Sequence, residues 1–104
     1  MTLSHIPKRT TIPRDTGLTM IMDKGLSIRQ MEDFLSTSAS YTDIIKFGFG
    51  TSIVSNNIQE KVSLMKQIGV KPYFGGTMFE LYYARNQESE YFKLVDDFGI
   101  ETVE

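Results

Sequence analysis

Ile44-Ile45-Lys46-Phe47-Gly48-Phe49-Gly50 is a short apolar run broken by a single charge, and a turn and a helical pattern follow it. It is long enough for a buried strand and too short for a helix, and its neighbours in the chain repeat the arrangement. Twenty-six residues earlier Leu18-Thr19-Met20-Ile21-Met22 opens a similar run that stops at Asp23-Lys24-Gly25, and 26 residues later Val70 to Phe74 opens a third, closed by Gly75-Gly76-Thr77. Ile100 to Glu104, 30 residues further on, reads as the opening of a fourth. A strand-plus-helix period of this size implies a parallel sheet with right-handed crossovers, either a doubly wound sheet or part of a barrel.

Helices fill the intervals. Ser27 with Gln30 makes a capping-box pattern ahead of Ile28, Met31, Phe34 and Leu35 on one face. Asn57, with Glu60 at the third position, opens the next helix, whose buried stripe is Ile58, Val62, Met65 and Ile68, and Gly69 suits its left-handed end. Thr77 and Glu80 repeat the box ahead of a segment through Arg85, and a further stretch from about Glu90 to Phe98 turns Tyr91, Leu94, Val95 and Phe98 inward. Pro72 costs a ladder hydrogen bond, so it belongs near its strand's beginning or at a bulge. Residues 1–16, with Pro7, Pro13, three Lys or Arg side chains and His5 but no apolar period, read as an extended or mobile arm before a domain over residues 17–104.

Composition narrows the chemistry. Eleven basic and 13 acidic residues are scattered through 104, so no basic stripe offers itself to nucleic acid or to a membrane surface. With no cysteine and one histidine, His5 in the arm, disulfide scaffolds, zinc fingers and thiol catalysis are excluded; any metal must sit on oxygen ligands, which favours magnesium. No apolar run approaches the ~20 residues of a membrane span, and the expectation is a cytoplasmic protein.

In either parallel architecture ligands gather at the carboxyl ends of the strands. Those ends are Asp23-Lys24-Gly25, Phe49-Gly50-Thr51-Ser52 and Gly75-Gly76-Thr77 with Glu80. Glycines let a ligand approach the backbone, and N–H groups at a helix start favour an anion. Lys46 lies inside an apolar run, where a charge needs a partner or a ligand; along an extended strand it shares a face with Gly48 and Gly50. Asp23 binds magnesium, pairs with Lys46 or serves as a turn or helix-terminus aspartate, and Glu80 doubles as the capping partner of Thr77.

Three of these segments, Gly17-Leu18-Thr19-Met20-Ile21-Met22-Asp23-Lys24-Gly25-Leu26, Ile45-Lys46-Phe47-Gly48-Phe49-Gly50-Thr51-Ser52 and Pro72-Tyr73-Phe74-Gly75-Gly76-Thr77-Met78-Phe79-Glu80, resemble the hallmark segments of phosphosulfolactate synthases. The resemblance runs from about Pro13 to Glu104 and concerns the front half of that family. It implies a (β/α)₈ TIM-barrel family fold, here a partial barrel of about three and a half βα units. The implied activity is Mg²⁺-dependent addition of sulfite to phosphoenolpyruvate, giving 2-phospho-3-sulfolactate on the way to coenzyme M or sulfolactate. Carried over to this chain, Lys46 and Asp23 are the catalytic candidates, Lys24, Thr51, Gly75, Gly76 and Thr77 the substrate-binding ones, and Asp23, Glu80 and Glu104 the metal ligands. A half barrel leaves an edge strand and an apolar inner face uncovered, so a homo-oligomer is expected. The alternatives are a non-catalytic, self-associating α/β module and another phosphate-ligand barrel.

Overall fold

The computed structural model describes residues 2–104; Met1, the first residue of the predicted arm, lies outside the described residues. Three strands, β1 (Met20–Asp23), β2 (Ile44–Phe47) and β3 (Lys71–Phe74), pair in parallel in chain order. Between them run α1 (Ile28–Ser38), α2 (Thr51–Val54) and α3 (Ile58–Ile68), and after β3 come α4 (Gly76–Tyr83) and α5 (Glu88–Asp97). The parallel, chain-ordered sheet is the one the repeat predicts.

Register divides the side chains between two faces. Asp23, Phe47 and Phe74 are mutual neighbours across the strands, as are Ile21, Ile45 and Pro72. This face is the packed one, with Ile45, Phe47 and Phe74 among the least exposed side chains of the chain. Met31 and Leu35 of α1 and Ile58, Val62 and Met65 of α3 join them in one core. Each such side chain contributes roughly 1.5–3 kcal/mol by leaving water, and together they hold helices against strands. Met20, Met22, Ile44 and Lys46 alternate onto the opposite face and keep part of their exposure.

Several local expectations are corrected. Residues 100–104 form no strand: Ile100 N–H donates to Val95 O, closing the end of α5, and the remainder runs as coil. The sheet therefore has three strands among the described residues, and no closed barrel is formed by them. β2 stops at Phe47, because Gly48–Gly50 turn into a 3₁₀ helix with Phe49 and Gly50 at positive φ. Gly50 thus leaves the strand face it is expected to share with Lys46, whereas Gly48 still borders that face, since a Cβ there would lie 2.5 Å from Met22 Sδ. Of the three predicted helix caps, Ser27 with Gln30 forms a reciprocal capping box. Asn57 precedes α3 with φ at 66° and no capping hydrogen bond. Thr77 lies inside α4, which starts one residue earlier and is preceded by Gly75, a residue with no side chain to cap it. On α3, Ile68 is 42% exposed while Lys61 takes a core position at 1%. Pro72 is the second residue of β3, an edge strand where its missing N–H is tolerated.

The segment before β1 runs as coil, turns and bends and is anchored at Arg14. Arg14 donates to Asp43 Oδ1 at 2.8 Å and to Ser40 O at 2.7 Å, and Thr19 N–H donates to Asp43 Oδ2 at 2.7 Å. Both charged side chains of the Arg14–Asp43 pair are almost fully buried. Burial pushes the Asp43 carboxyl up, but the Thr19 amide and the Arg14 guanidinium outweigh it and hold the group below its ordinary value of 3.8. A depressed folded value means that this contribution is complete above 3.8 and is lost as pH falls through the lower folded value. Asp43→Ala should cost about 3 kcal/mol at neutral pH, since it strands a buried guanidinium. Urea unfolding at neutral pH and at about pH 3 checks both statements: the gap between wild type and variant should narrow at the acid end.

Candidate functional site

At the carboxyl end of the sheet the chain places two ion pairs, one on each face. On the packed face, the Asp23 carboxylate is fully buried and each of its oxygens is engaged. Oδ1 accepts from the N–H groups of Gly25 and Leu26, both at 2.7 Å, and Oδ2 accepts from Lys61 Nζ at 2.6 Å. The same ammonium donates to Leu26 O at 2.7 Å and lies 5.4 Å from the centroid of the Phe47 ring. Asp23 therefore pairs with Lys61 and not with Lys46. Strand alternation is the reason: Asp23 is opposite Phe47 in register, whereas Lys46 is opposite Met22 and points the other way.

On the open face Lys46 Nζ approaches Glu104 Oε2 at 3.3 Å, and the same oxygen accepts the Gly76 N–H at 2.9 Å. Gly76 is the first residue of α4, so Glu104 supplies the cap that Gly75 cannot. The Gly76 amide, with Lys46 next to it, holds the Glu104 carboxyl below its usual range. Gly75 makes room for the lysine stem, because a Cβ there would lie 3.1 Å from Lys46 Cδ and 3.3 Å from Phe47 O. The space beside the ammonium, assigned from the sequence to Gly48 and Gly50, is provided by Gly75.

The other candidates follow the carboxyl ends of the same three strands along the chain. Lys24 is exposed in the β1–α1 loop with Nζ 5.7 Å from the Phe49 ring centroid. Thr51, partly buried, opens α2 after β2, and Thr77 is exposed in the first turn of α4. Glu80 is exposed in the second turn of α4. The three expected metal ligands do not converge. Among the described residues no three His, Cys, Asp or Glu side chains are grouped to hold an ion. Asp23 is committed to Lys61 and the loop amides, leaving Glu104 as the carboxylate on the open face. Magnesium is commonly held through one or two carboxylates plus substrate oxygens, so one carboxylate here fits that mode and not an all-protein cage. The residue that sequence reading missed is Lys61, although its signal was present: it stands at i+3 between Ile58 and Val62, in the middle of an apolar stripe.

The model for (2R)-phospho-3-sulfolactate synthase (ComA) matches residues 7–104. The chain belongs to that family. It is 34% identical over 100 residues to a phosphosulfolactate synthase of Bacillus subtilis (strain 168), a match covering 96% of this chain and 40% of that protein. Its identity to the phosphosulfolactate synthase of Methanothermobacter thermautotrophicus is 38% over 100 residues, covering 94% and 39%. To that of Methanocaldococcus jannaschii it is 40% over 90 residues, covering 85% and 36%. The chain thus spans about two fifths of the curated relatives it matches. Among the described residues, no helix of this phosphosulfolactate synthase family member is long and apolar enough to cross a membrane.

Proposed function

We propose that this chain provides part of the anion-binding mouth of a partial TIM-barrel enzyme that adds sulfite to phosphoenolpyruvate, yielding 2-phospho-3-sulfolactate in the cytoplasm. The observation that carries the reading is the convergence of the Lys46 ammonium and the Gly76 N–H on one carboxylate oxygen. Those donors suit an anionic group of a substrate as well as they suit Glu104. In the reaction the sulfite sulfur bonds to C3 of phosphoenolpyruvate while C2 takes up a proton. Lys46 binds and orients the carboxylate or phosphate, and the Gly76 amide donates to the same group. Gly75 keeps the approach clear of side-chain atoms, while Lys24 adds a second cation and Thr51 and Thr77 offer hydroxyls at the rim. Asp23 takes part through the loop it holds. Glu104, together with substrate oxygens, would hold Mg²⁺, which would supply charge stabilisation for the negative charge on the substrate carboxylate; Glu80 has no assigned step.

Turnover of phosphoenolpyruvate with and without sulfite tests the proposal. Consumption that requires sulfite is expected. Consumption without it would point instead to another phosphate-ligand enzyme, and neither turnover nor binding would reject the reading for this chain. Association belongs to the same proposal: Met20 is 45% exposed on the sheet face that the helices leave open, and Phe49, Ile53 and Val54, in the segment that follows β2, are at least half exposed. Copies of this chain should therefore self-associate, and sedimentation equilibrium showing a stable monomer would remove that part.

A further inference from the structure

We propose that Lys61, on a helix behind the sheet, is a positioning residue that fixes the β1–α1 loop and so sets where Lys24 stands at the mouth; its relevance to anion binding rests on the function proposed above. The loop from Asp23 to Leu26 closes on itself through the two amides that donate to Asp23 Oδ1, and Lys61 locks that closure from outside. One ammonium joins the carboxylate at the loop's first residue to the carbonyl at its last, at 2.6 and 2.7 Å. Lys24 and Gly25, the two residues between, are exposed and pack little, so these bonds hold them in place. Lys61 is 1% exposed, and it comes from α3, 38 residues along the chain from Asp23. A buried ion pair is an inefficient way to stabilise a fold, because well-packed apolar groups of similar volume do as well or better. What apolar groups cannot do is bridge a carboxylate and a carbonyl at fixed distances. The arrangement thus favours loop geometry over bulk stability.

The test compares the wild-type chain with Asp23→Asn/Lys61→Met, which removes both charges and keeps an oxygen at position 23 that can accept the Gly25 and Leu26 N–H groups. Three readouts are followed: hydrogen exchange of the Gly25 and Leu26 amides, the ring-current shift of the Lys24 ε-protons beside Phe49, and the dissociation constant for phosphoenolpyruvate. The double variant should unfold at or near the wild-type midpoint, yet exchange both amides at least tenfold faster, lose the Lys24 shift and bind phosphoenolpyruvate about tenfold more weakly. A variant that keeps amide protection, the Lys24 shift and wild-type affinity would show the pair to be purely structural and overturn the proposal. If wild type binds no phosphoenolpyruvate, the functional reading fails by itself, and exchange and the Lys24 shift still decide whether Lys61 positions the loop. If the double variant does not fold, wild type alone decides: Gly25 and Leu26 amides exchanging as fast as free loop amides would overturn the proposal, and protection close to that of the β1 amides supports it.

Discussion

Asp23→Ala should lower the unfolding free energy by about 3–5 kcal/mol, because it leaves the Lys61 ammonium buried without its counter-charge. The change also frees the Gly25 and Leu26 amides, which now donate to Asp23 Oδ1. For a domain whose whole stability is of the order of 5–15 kcal/mol, such a loss is a large share. Lys61→Met should cost a similar amount for the mirror-image reason, stranding a carboxylate that is fully buried. The two changes should not add, since each removes the same pair, and combining Asp23→Ala with Lys61→Met should give a coupling energy of about 3 kcal/mol. Urea denaturation of the four proteins measures it. Additive losses would mean that the 2.6 Å contact carries no energy of its own.

That pair also marks where the sequence was legible and where it was not. The strands announce themselves by apolar runs bounded by glycine, and the 26-residue repeat orders them, because both signals are local and depend on the period of each element. The first helix is equally plain, since its capping box needs only Ser27 and Gln30 three residues apart. Thr77 and Glu80 show the same pattern and form no box, because β3 ends a residue before α4 begins and Gly75 takes the capping position. Lys46 draws attention as a charge in an apolar strand, but its partner Glu104 is 58 residues away. Glu104 reaches it from a coil and not from a fourth strand. For Asp23 the turn-aspartate alternative holds, through the Gly25 and Leu26 amides, and pairing with Lys46 does not, because register points the two side chains to opposite faces. Lys61 escapes a reading of helical stripes by their apolar members, although i+3 from Ile58 is a core position.

Lys46→Met should weaken binding of phosphoenolpyruvate or sulfite by about 2–5 kcal/mol if the ammonium forms a desolvated pair with the ligand, while leaving the fold intact. The substitution keeps the length and the apolar stem that passes Gly75 and removes only the charge. Its present partner, Glu104, is exposed, and pairs of that kind contribute little to folding. Glu104 also keeps the Gly76 N–H as a donor when Lys46 is gone, so no buried charge is stranded. The unfolding midpoint should therefore stay where it is or rise slightly. This is the opposite of what Lys61→Met predicts, although both changes remove a lysine from an ion pair at the same end of the sheet. The difference lies in solvent access: Lys61 has traded water for a buried carboxylate, whereas Lys46 faces a mouth where water or an anion can take the place of Glu104. Thermal unfolding and ligand titration, run on both variants side by side, measure the contrast. A Lys46→Met chain that unfolds early yet binds phosphoenolpyruvate like wild type when folded would make Lys46 a structural ion-pair residue and remove it from the anion site.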